Sequence, residues 1–168
     1  MSAPGLLTTG FGQMAWVTND IDQAVAVFRE RHDTGEFGII RNLEASLAGD
    51  KTAWMNLAVA GAGGIDIELI EPLGGDDGVW REILRGNGGF EMHFHHHAQF
   101  VSSRADLDRL KAEGIAQGFP VSVAGRTTEG PGFFYLDCRA TIGHHVEYLY
   151  AERRLSEAMA GAGAPEPA

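Results

Sequence analysis

The sequence predicts an α+β fold built from two βαβββ modules, one in each half of the chain. Near the start of each half, a strand-like run is followed by a stretch of helical periodicity that opens with a helix-capping side chain. Three extended runs rich in β-branched and aromatic residues then follow each helix. A length of 168 residues is enough for a single domain with an ordinary hydrophobic core.

The first module is predicted over residues 10–73. Residues 11–18 have the composition of a strand, and Asp20 then supplies a capping oxygen for a helix that ends near residue 32. Extended runs are predicted near residues 36–43, 52–60 and 65–72. A short connecting helix at 77–85 and a flexible glycine-rich joint at 86–89 follow.

The second module is predicted over residues 90–150. After a strand at about 90–101, Ser103 and Asp106 resemble a capping box for a helix that ends at Gly114. Extended runs are predicted near residues 119–124, 132–137 and 144–150. One domain is therefore expected over residues 1–155, and the Gly- and Ala-rich segment 156–168 is expected to be a flexible tail.

An internal repeat relates the two modules. Moving the chain by 83 residues places Gln13 on His96. An acidic residue closes the last strand of each module: Glu68 lies 55 residues after Gln13, and Glu147 lies 51 residues after His96. Two such modules side by side would bring these four side chains into one cup.

The composition limits the partners and the location of the protein. Thirteen basic and twenty-three acidic side chains give a formal net charge of −10, which argues against nucleic acid and anionic membranes as partners. No apolar run approaches the ~20 residues that a membrane-spanning helix needs. The start of the chain lacks the regions of a secretion signal, and the single cysteine, Cys138, cannot form an internal disulfide. A cytoplasmic protein is therefore expected.

Several histidines lie together in the first strand of the second module, between Met92 and Val101. Imidazole and carboxylate donors on different strands of one sheet can converge on a divalent cation. Glu147 lies in a run that otherwise resembles a buried strand, where a carboxylate needs a partner and a metal ion is one. The candidate metal ligands are Gln13, Glu68, His96 and Glu147. Asp66, on the same strand face, and Glu71, on the other, are the alternatives to Glu68.

Strict alternation leaves the choice of the histidine ligand open. It places His95 and His97 on one face of the strand and His96 on the other. The repeat favours His96, because the small residue two positions later, Ala98, matches Ala15 in the first module. His95 and His97 remain the alternatives.

Four segments of the chain carry a recognisable family pattern. They begin at Gln13, Ile67, Phe94 and Gly143 and read Gln-Met-Ala-Trp-Val-Thr-Asn-Asp, Ile-Glu-Leu-Ile-Glu-Pro, Phe-His-His and Gly-His-His-Val-Glu-Tyr. Through them, residues 10–150 resemble the vicinal oxygen chelate superfamily, the glyoxalase/bleomycin-resistance/dioxygenase fold. The resemblance implies a curved mixed sheet, shaped as a cup with helices on its outer face, around a divalent metal ion. It also implies that the ion is bound by Gln13, Glu68, His96 and Glu147.

The ligand order Gln, Glu, His, Glu is similar to one form of lactoylglutathione lyase (glyoxalase I). This resemblance implies a metal-dependent lyase or isomerase that enolises a small carbonyl compound or a thiol or thioester adduct. It names Glu147 as the first candidate for the catalytic base that removes a proton from carbon, and Glu68 as the second. Zn²⁺, Ni²⁺, Co²⁺ and Fe²⁺ are all compatible with these ligands.

Other members of the superfamily suggest alternative functions. Extradiol dioxygenases use two histidines and one carboxylate for Fe(II), and Gln13 stands where their first histidine would be. Methylmalonyl-CoA epimerases usually have His at the position of Gln13 and Gln at that of Glu68. Proteins of the bleomycin-resistance type bind and sequester a ligand in the same cup without a metal. Dimers are common among all of these proteins, so a homodimer is expected.

The small-molecule substrate is not specified by any motif. Apolar side chains such as Val17, Ile70 and Phe100 are expected to line the cup, which suggests an apolar or aromatic ligand. The scarcity of Lys and Arg gives little support for a coenzyme A or glutathione clamp.

Overall fold

The computed structural model describes residues 11–127, 132–151 and 154–162. Its first module contains β1 (Phe11–Thr18), α1 (Ile21–His32), β2 (Gly38–Leu47), β3 (Lys51–Ala62) and β4 (Ile65–Gly75). After α2 (Gly78–Arg81), the second module contains β5 (Met92–Val101), α3 (Arg104–Ala116), β6 (Val121–Thr127), β7 (Gly132–Asp137), α4 (Arg139–Ile142) and β8 (His145–Tyr150). A last helix, α5 (Leu155–Ala162), follows. The predicted order of one strand, one helix and three strands is confirmed in both halves.

The eight strands form one mixed sheet that curves until it closes into a barrel. Their order around the barrel is β1-β4-β3-β2-β6-β7-β8-β5. β1 pairs in parallel with β4, β5 pairs in parallel with β8, and all other neighbours are antiparallel. The expected cup becomes a closed barrel because β2 also pairs with β6, through Ala45–Leu47 and 125–127.

Alternation along the strands divides the apolar residues between the barrel interior and two outer layers. In β1, Val17 belongs to the interior cluster, whereas Met14 and Trp16 pack with Phe28 of α1 on the outside. α3 covers the other module in the same way, with Leu110 and its neighbours packed on β7 and β8. The helices therefore lie on the outer face of the sheet, as the resemblance implies.

Both predicted helix caps are present. Asp20 Oδ1 accepts a hydrogen bond from the backbone N–H of Gln23 at 2.9 Å, and Ser103 Oγ accepts one from that of Asp106 at 3.0 Å. α3 continues two residues past Gly114, where the sequence predicts its end. A Cβ atom at position 114 would lie 2.5 Å from Leu136 Cδ1. This glycine therefore serves close packing of α3 on β7 rather than termination of the helix.

The glycine-rich joint between the modules is more ordered than predicted. The buried carboxylate of Glu91 accepts backbone N–H bonds from Arg85 at 2.7 Å and Gly86 at 2.8 Å. Asn19, at the end of the first module's β1, donates from its side chain to the carbonyl oxygen of Gly89 at 2.7 Å. These contacts tie the joint to both modules.

α5 begins where the sequence predicts a flexible tail, and the sequence does not predict this helix. Ser156 donates hydrogen bonds to the fully buried carboxylate of Asp66 in β4, from its hydroxyl and from its backbone N–H. Met159 packs against Gly38 of β2. These contacts place α5 against the barrel, and residues 163–168 lie outside the described residues. None of the helices formed by the described residues is long and apolar enough to cross a membrane.

Candidate metal centre

Three of the four predicted ligands meet inside the barrel. Glu68 of β4, His96 of β5 and Glu147 of β8 each offer one ligand atom, and these atoms all lie within 4.8 Å of one another. His96 Nε2 is 3.1 Å from Glu147 Oε2 and 3.5 Å from Glu68 Oε2. All three residues are buried. A buried group of one imidazole and two carboxylates with this spacing could bind a metal ion.

The strand register explains why the two acids converge. In the parallel pair of β1 and β4, Glu68 lies opposite Ala15, two residues after the predicted donor of β1. In the parallel pair of β5 and β8, Glu147 lies opposite Ala98, two residues after the predicted donor of β5. Each module therefore places its acid at the same step from its first-strand donor, which agrees with the internal repeat.

Gln13 lies beside this group on β1. The antiparallel pair of β1 and β5 matches Gln13 with Ala98 and Ala15 with His96. Both alanines are fully buried, so their small side chains leave space between the strands at this point. The side chain of Gln13 is itself fully buried, and neither Oε1 nor Nε2 has a hydrogen-bond partner among the described residues.

Unpartnered polar atoms at this place indicate that a ligand is needed. Besides the amide of Gln13, His96 Nε2 and Glu147 Oε2 are buried without a hydrogen-bond partner in the described part of the chain. Buried polar atoms in folded proteins are almost always hydrogen-bonded. The last two atoms are only 3.1 Å apart, yet their angles are not those of a hydrogen bond. With an oxygen of Glu68 they form a group of atoms within 4.8 Å of one another, and this donor set fits a divalent cation.

A β-bulge brings a second histidine into the interior. The register of β1 and β5 passes from the pair Ala15–His96 to the pair Trp16–Phe94, so His95 has no partner of its own on β1. Two successive side chains, His95 and His96, therefore face inwards, which strict alternation does not predict. Past the bulge the alternation resumes.

The structure brings His96, rather than either alternative, to the two carboxylates. His97 lies on the outer side, where its Nδ1 is 2.8 Å from His144 Nε2 and its ring contacts Phe11. His95 faces inwards, but both of its ring nitrogens contact other groups.

The hydrogen bonds of His95 determine which nitrogen of His96 faces the carboxylates. His95 Nε2 is 2.9 Å from the carbonyl oxygen of Val79, which can only accept, so this nitrogen carries a proton. His95 Nδ1 then accepts the Nδ1 proton of His96 at 2.9 Å. Burial and the neighbouring charge of His96 lower the pKa of His95 to about 2, so His95 stays neutral. His96 Nε2 is therefore the nitrogen that is presented to Glu68 and Glu147.

The pKa values of His96 and Glu68 are both shifted in this cluster. Burial alone would lower the pKa of His96, but Glu147 and Glu68 outweigh it and raise this pKa to about 9. Burial raises the pKa of Glu68, although the nearby imidazole of His96 acts in the opposite direction. A metal ion at this position would replace the proton on His96 Nε2, since ligands must be deprotonated.

A cavity of about 610 Å³ opens beside the two carboxylates. Most of its wall is apolar, with contributions from the strands β2, β3, β7 and β8 and from α5. Of the three side chains predicted to line the cup, Ile70 does so, whereas Val17 and Phe100 are not among the lining residues.

Tyr135 of β7 is a functional candidate that the sequence does not identify. It lies directly opposite Glu147 in the β7–β8 pair and lines the cavity, with its ring centroid 4.6 Å from that of His96. Its hydroxyl oxygen accepts a hydrogen bond from Trp80 Nε1 at 3.2 Å, so its own O–H can donate to a group in the cavity. Burial raises the pKa of Tyr135 well above its ordinary value, so it acts as a neutral donor. Its position opposite the last-strand acid is the signal that could have identified it.

Comparisons with known proteins support the fold. No protein-family profile and no curated protein matches the chain. Among solved structures, methylmalonyl-CoA epimerase from Mycobacterium tuberculosis is 19% identical with a TM-score of 0.59, over 94% of this chain and 97% of that one. A Streptomyces coelicolor methylmalonyl-CoA epimerase variant in complex with 2-nitronate-propionyl-CoA is 19% identical with a TM-score of 0.61, over 86% and 95%. A hypothetical protein from Bacillus halodurans C-125 is 16% identical with a TM-score of 0.59, over 88% and 97%.

The epimerases have the fold that the four sequence segments imply, and the likeness extends along nearly the whole chain. The expected fold is therefore confirmed. At these identities the likeness shows the fold alone.

Proposed function

We propose that this chain, which has the vicinal oxygen chelate fold, is a metal-dependent lyase or isomerase of the glyoxalase type. It would enolise a small carbonyl compound or a thiol or thioester adduct. The observation that supports this most strongly is the convergence of Glu68, His96 and Glu147 beside the unpartnered amide of Gln13, next to an apolar cavity. The similar epimerases, which are isomerases by name, are consistent with the coarser part of this proposal.

Gln13, Glu68, His96 and Glu147 would hold a divalent cation, with Zn²⁺, Ni²⁺, Co²⁺ and Fe²⁺ as the candidates. When bound, the cation would supply a Lewis acid for a carbonyl oxygen and so make the neighbouring C–H more acidic. Glu68 and Glu147 would balance its charge, whereas Gln13 and His96 add neutral donors. His95 keeps His96 in the tautomer that this role requires.

The proton transfer is assigned to Glu147. Its Oε2 is buried without a hydrogen-bond partner among the described residues, so it can take a proton from the carbon next to the carbonyl and later return it to a neighbouring atom. Glu68 is the second candidate for this base. Tyr135 would donate its O–H to the oxygen on which negative charge develops, and the apolar walls would exclude water.

Exchange of carbon-bound hydrogen tests this proposal before the natural substrate is known. The metal-reconstituted protein is incubated in D₂O with a panel of small α-hydroxy ketones and hemithioacetals, and deuterium at carbon is followed by NMR. We expect exchange with wild-type protein and a rate about 10²- to 10⁴-fold lower with Glu147→Gln. The control Glu36→Gln alters an exposed acid and should exchange as the wild type does.

Elemental analysis of each variant accompanies this experiment, because loss of the metal would also stop exchange. Full exchange by Glu147→Gln would remove Glu147 from the mechanism and transfer its role to Glu68. Absence of exchange with a metal-loaded wild-type protein across the whole panel would contradict the proposed function.

The apolar cavity also favours a second function, the sequestration of a hydrophobic ligand without chemistry. Protein purified without added metal separates the two functions. A stoichiometric divalent ion favours the enzyme, whereas tight ligand binding by metal-free protein favours the sequestering protein. We also propose a homodimer, by the resemblance alone, and sedimentation equilibrium tests it.

An extradiol dioxygenase has less support. Its Fe(II) needs two histidines and one carboxylate, whereas the clustered residues provide one histidine and two carboxylates. His95 cannot supply the missing ligand in the observed arrangement, because Val79 and His96 occupy both of its ring nitrogens. Oxygen uptake with catechols would reverse this conclusion.

A further inference from the structure

We infer that the cavity selects a neutral, apolar carbonyl compound and discriminates against substrates that carry a free carboxylate or phosphate groups. The inference rests on the proposed function only in naming the ligand as the substrate of that site. The charge, the rim and the size of the cavity support the inference.

The cavity wall contains negative charge but no positive charge. Glu68 and Glu147 are its acidic members, and none of the lining residues in the described part of the chain is Lys, Arg or His. Two carboxylates cancel the charge of a divalent cation, so the centre keeps no net attraction for an anion. The polar groups left for a substrate are the hydroxyls of Tyr135 and Thr127, which suit a neutral oxygen.

The part of the rim that β2 forms is apolar as well. Ile39 and Ile40 of β2 both line the cavity and are 38% exposed, so they lie where the cavity meets solvent. The next residue, Arg41, forms an ion pair with Asp22 of α1 at 2.5 Å. A substrate arm that leaves the cavity here would meet isoleucine side chains and an already neutralised guanidinium.

Other arginines are neutralised in the same way. Arg81 pairs with Asp77 at 2.5 Å, and Arg139 pairs with Asp137 and Glu82, both at 2.7 Å. Coenzyme A carries phosphates that proteins usually bind with Arg and Lys side chains. The structure of an epimerase variant with a CoA ligand therefore shows a shared fold, but the described residues that line this cavity include no Lys or Arg for such a ligand.

The size and the outer wall of the cavity favour a compact ligand. A volume of about 610 Å³ lies within the range of about 300–1,000 Å³ that is typical of small-molecule sites. α5 closes part of the wall with Leu155, Ala158 and Met159, all of them apolar. Among these, Ala158 is the smallest and is exposed, so a larger side chain at this position would narrow the opening of the cavity.

Three matched probes test the inference: 2-hydroxyacetophenone, its para-carboxylate and propionyl-CoA. Binding is measured by calorimetry and by tryptophan fluorescence, to which Trp80 of the cavity wall contributes. Each titration is run with chelator-treated and with Zn²⁺-loaded protein. We expect the neutral ketone to bind at least ten-fold more tightly than its carboxylate, and propionyl-CoA not to compete with it.

Three variants connect the binding to this cavity. Ala158→Trp should weaken binding of the neutral ketone at least ten-fold, whereas the control Ile115→Trp, at an exposed position of α3, should not change it. Leu155→Arg should bring the affinities of the ketone and its carboxylate closer together, because it adds a cation to the wall. Circular dichroism and thermal unfolding establish that each variant is folded. If Ala158→Trp does not fold, Leu155→Arg still tests whether the ligand binds in this cavity.

The inference would be overturned if the wild type bound the carboxylate or propionyl-CoA as tightly as the neutral ketone, or more tightly. It would also be overturned if the wild type did not bind the ketone, or if Ala158→Trp bound the ketone with unchanged affinity. Binding of the ketone by chelator-treated protein supports it whether or not the protein proves to exchange carbon-bound hydrogen. Failure of the inference and failure of the proposed function are therefore distinguishable.

Discussion

His95 shows how a single extra residue in a strand changes the chemistry of its neighbour. Without the bulge, alternation would turn His95 away from the side that His96 faces. With it, the two imidazoles lie on the same side and share a hydrogen bond of 2.9 Å. The proton of His96 is then held on Nδ1, and Nε2 remains for the carboxylates.

We therefore expect His95→Phe to weaken binding of Zn²⁺ by about 10- to 100-fold, because His96 loses the acceptor that orients its ring and selects its tautomer. The affinity is measured by competition with a chelating dye. The matched control is His97→Phe, which changes a histidine on the outer side of the same strand. Equal affinities in the two variants would show that His95 does not act through His96.

Tyr135 provides a second test at this scale. Tyr135→Phe removes one hydrogen-bond donor from the cavity and should lower the rate of carbon–hydrogen exchange by about 10²- to 10³-fold, with the metal affinity unchanged. The same change leaves the buried Trp80 N–H without its acceptor, so the variant should also be less stable by about 1–3 kcal/mol. An exchange rate equal to that of the wild type would exclude Tyr135 as a donor to the substrate.

The positions of the predicted ligands follow from the sequence, whereas the arrangement around them does not. Gln13 and His96 correspond in the repeat, and Glu147 lies in a run that resembles a buried strand. Glu68 shares its strand face with Asp66, so the family resemblance, and not periodicity, distinguishes these two acids. The bulge at His95 is invisible in the sequence, since it depends on how β1 and β5 pair.

At the scale of elements, locally determined features are predicted well. The caps at Asp20 and Ser103 depend on contacts within three residues, and both are present. The predicted end of the second strand, near residue 43, is four residues short of the observed Leu47. That end of β2 pairs with its neighbour β6 of the second module, and this contact between residues distant in sequence cannot be predicted from the local composition.

The loop that joins the two modules is expected to respond to pH through Glu91. The backbone N–H of Arg85 and the ring of His93 hydrogen-bond to its carboxylate and lower the pKa of Glu91 to about 2, below the ordinary value of 4.5. Folding therefore favours the charged form: this stabilisation is complete above about pH 4.5 and is lost as the pH falls towards 2.

Glu91→Gln should accordingly unfold more easily than the wild type near neutral pH, and the difference in unfolding free energy should shrink as the pH is lowered from about 5 to about 3. Chemical denaturation of both proteins across this range measures it. A difference that stays constant or grows towards low pH would contradict the role given to the carboxylate.

The docking of α5 is expected to depend on one buried contact. The helix contains Gly and several Ala residues and is not predicted by the sequence, so tertiary contacts must contribute to its position. Ser156→Ala removes the hydrogen bond from the Ser156 hydroxyl to the carboxylate of Asp66, and only the backbone N–H remains as a donor from Ser156. We expect faster amide hydrogen exchange in residues 155–162 of this variant than in the wild type, with the protection of β5 unchanged. Equal exchange of residues 155–162 in the variant and the wild type would show that other contacts hold α5.

At the scale of the whole molecule, the two modules depend on each other for the site. Each contributes one acid, and the four donors lie on β1, β4, β5 and β8, which are neighbours in the closed barrel. A cation that binds only this arrangement should stabilise the fold, by about 2.7 kcal/mol at a free concentration 100-fold above its Kd. Thermal unfolding with increasing Zn²⁺ should therefore show a rising midpoint in the wild type and a constant one in His96→Ala.

The central claim is that Gln13, Glu68, His96 and Glu147 share one divalent ion. The most direct measurement is the stoichiometry of metal binding, determined by calorimetric titration and elemental analysis of the wild type, of His96→Ala and of the outer-side control His97→Ala. The account predicts about one ion per chain in the wild type and in His97→Ala, and none in His96→Ala. No bound ion in the wild type, or an undiminished one in His96→Ala, would contradict it.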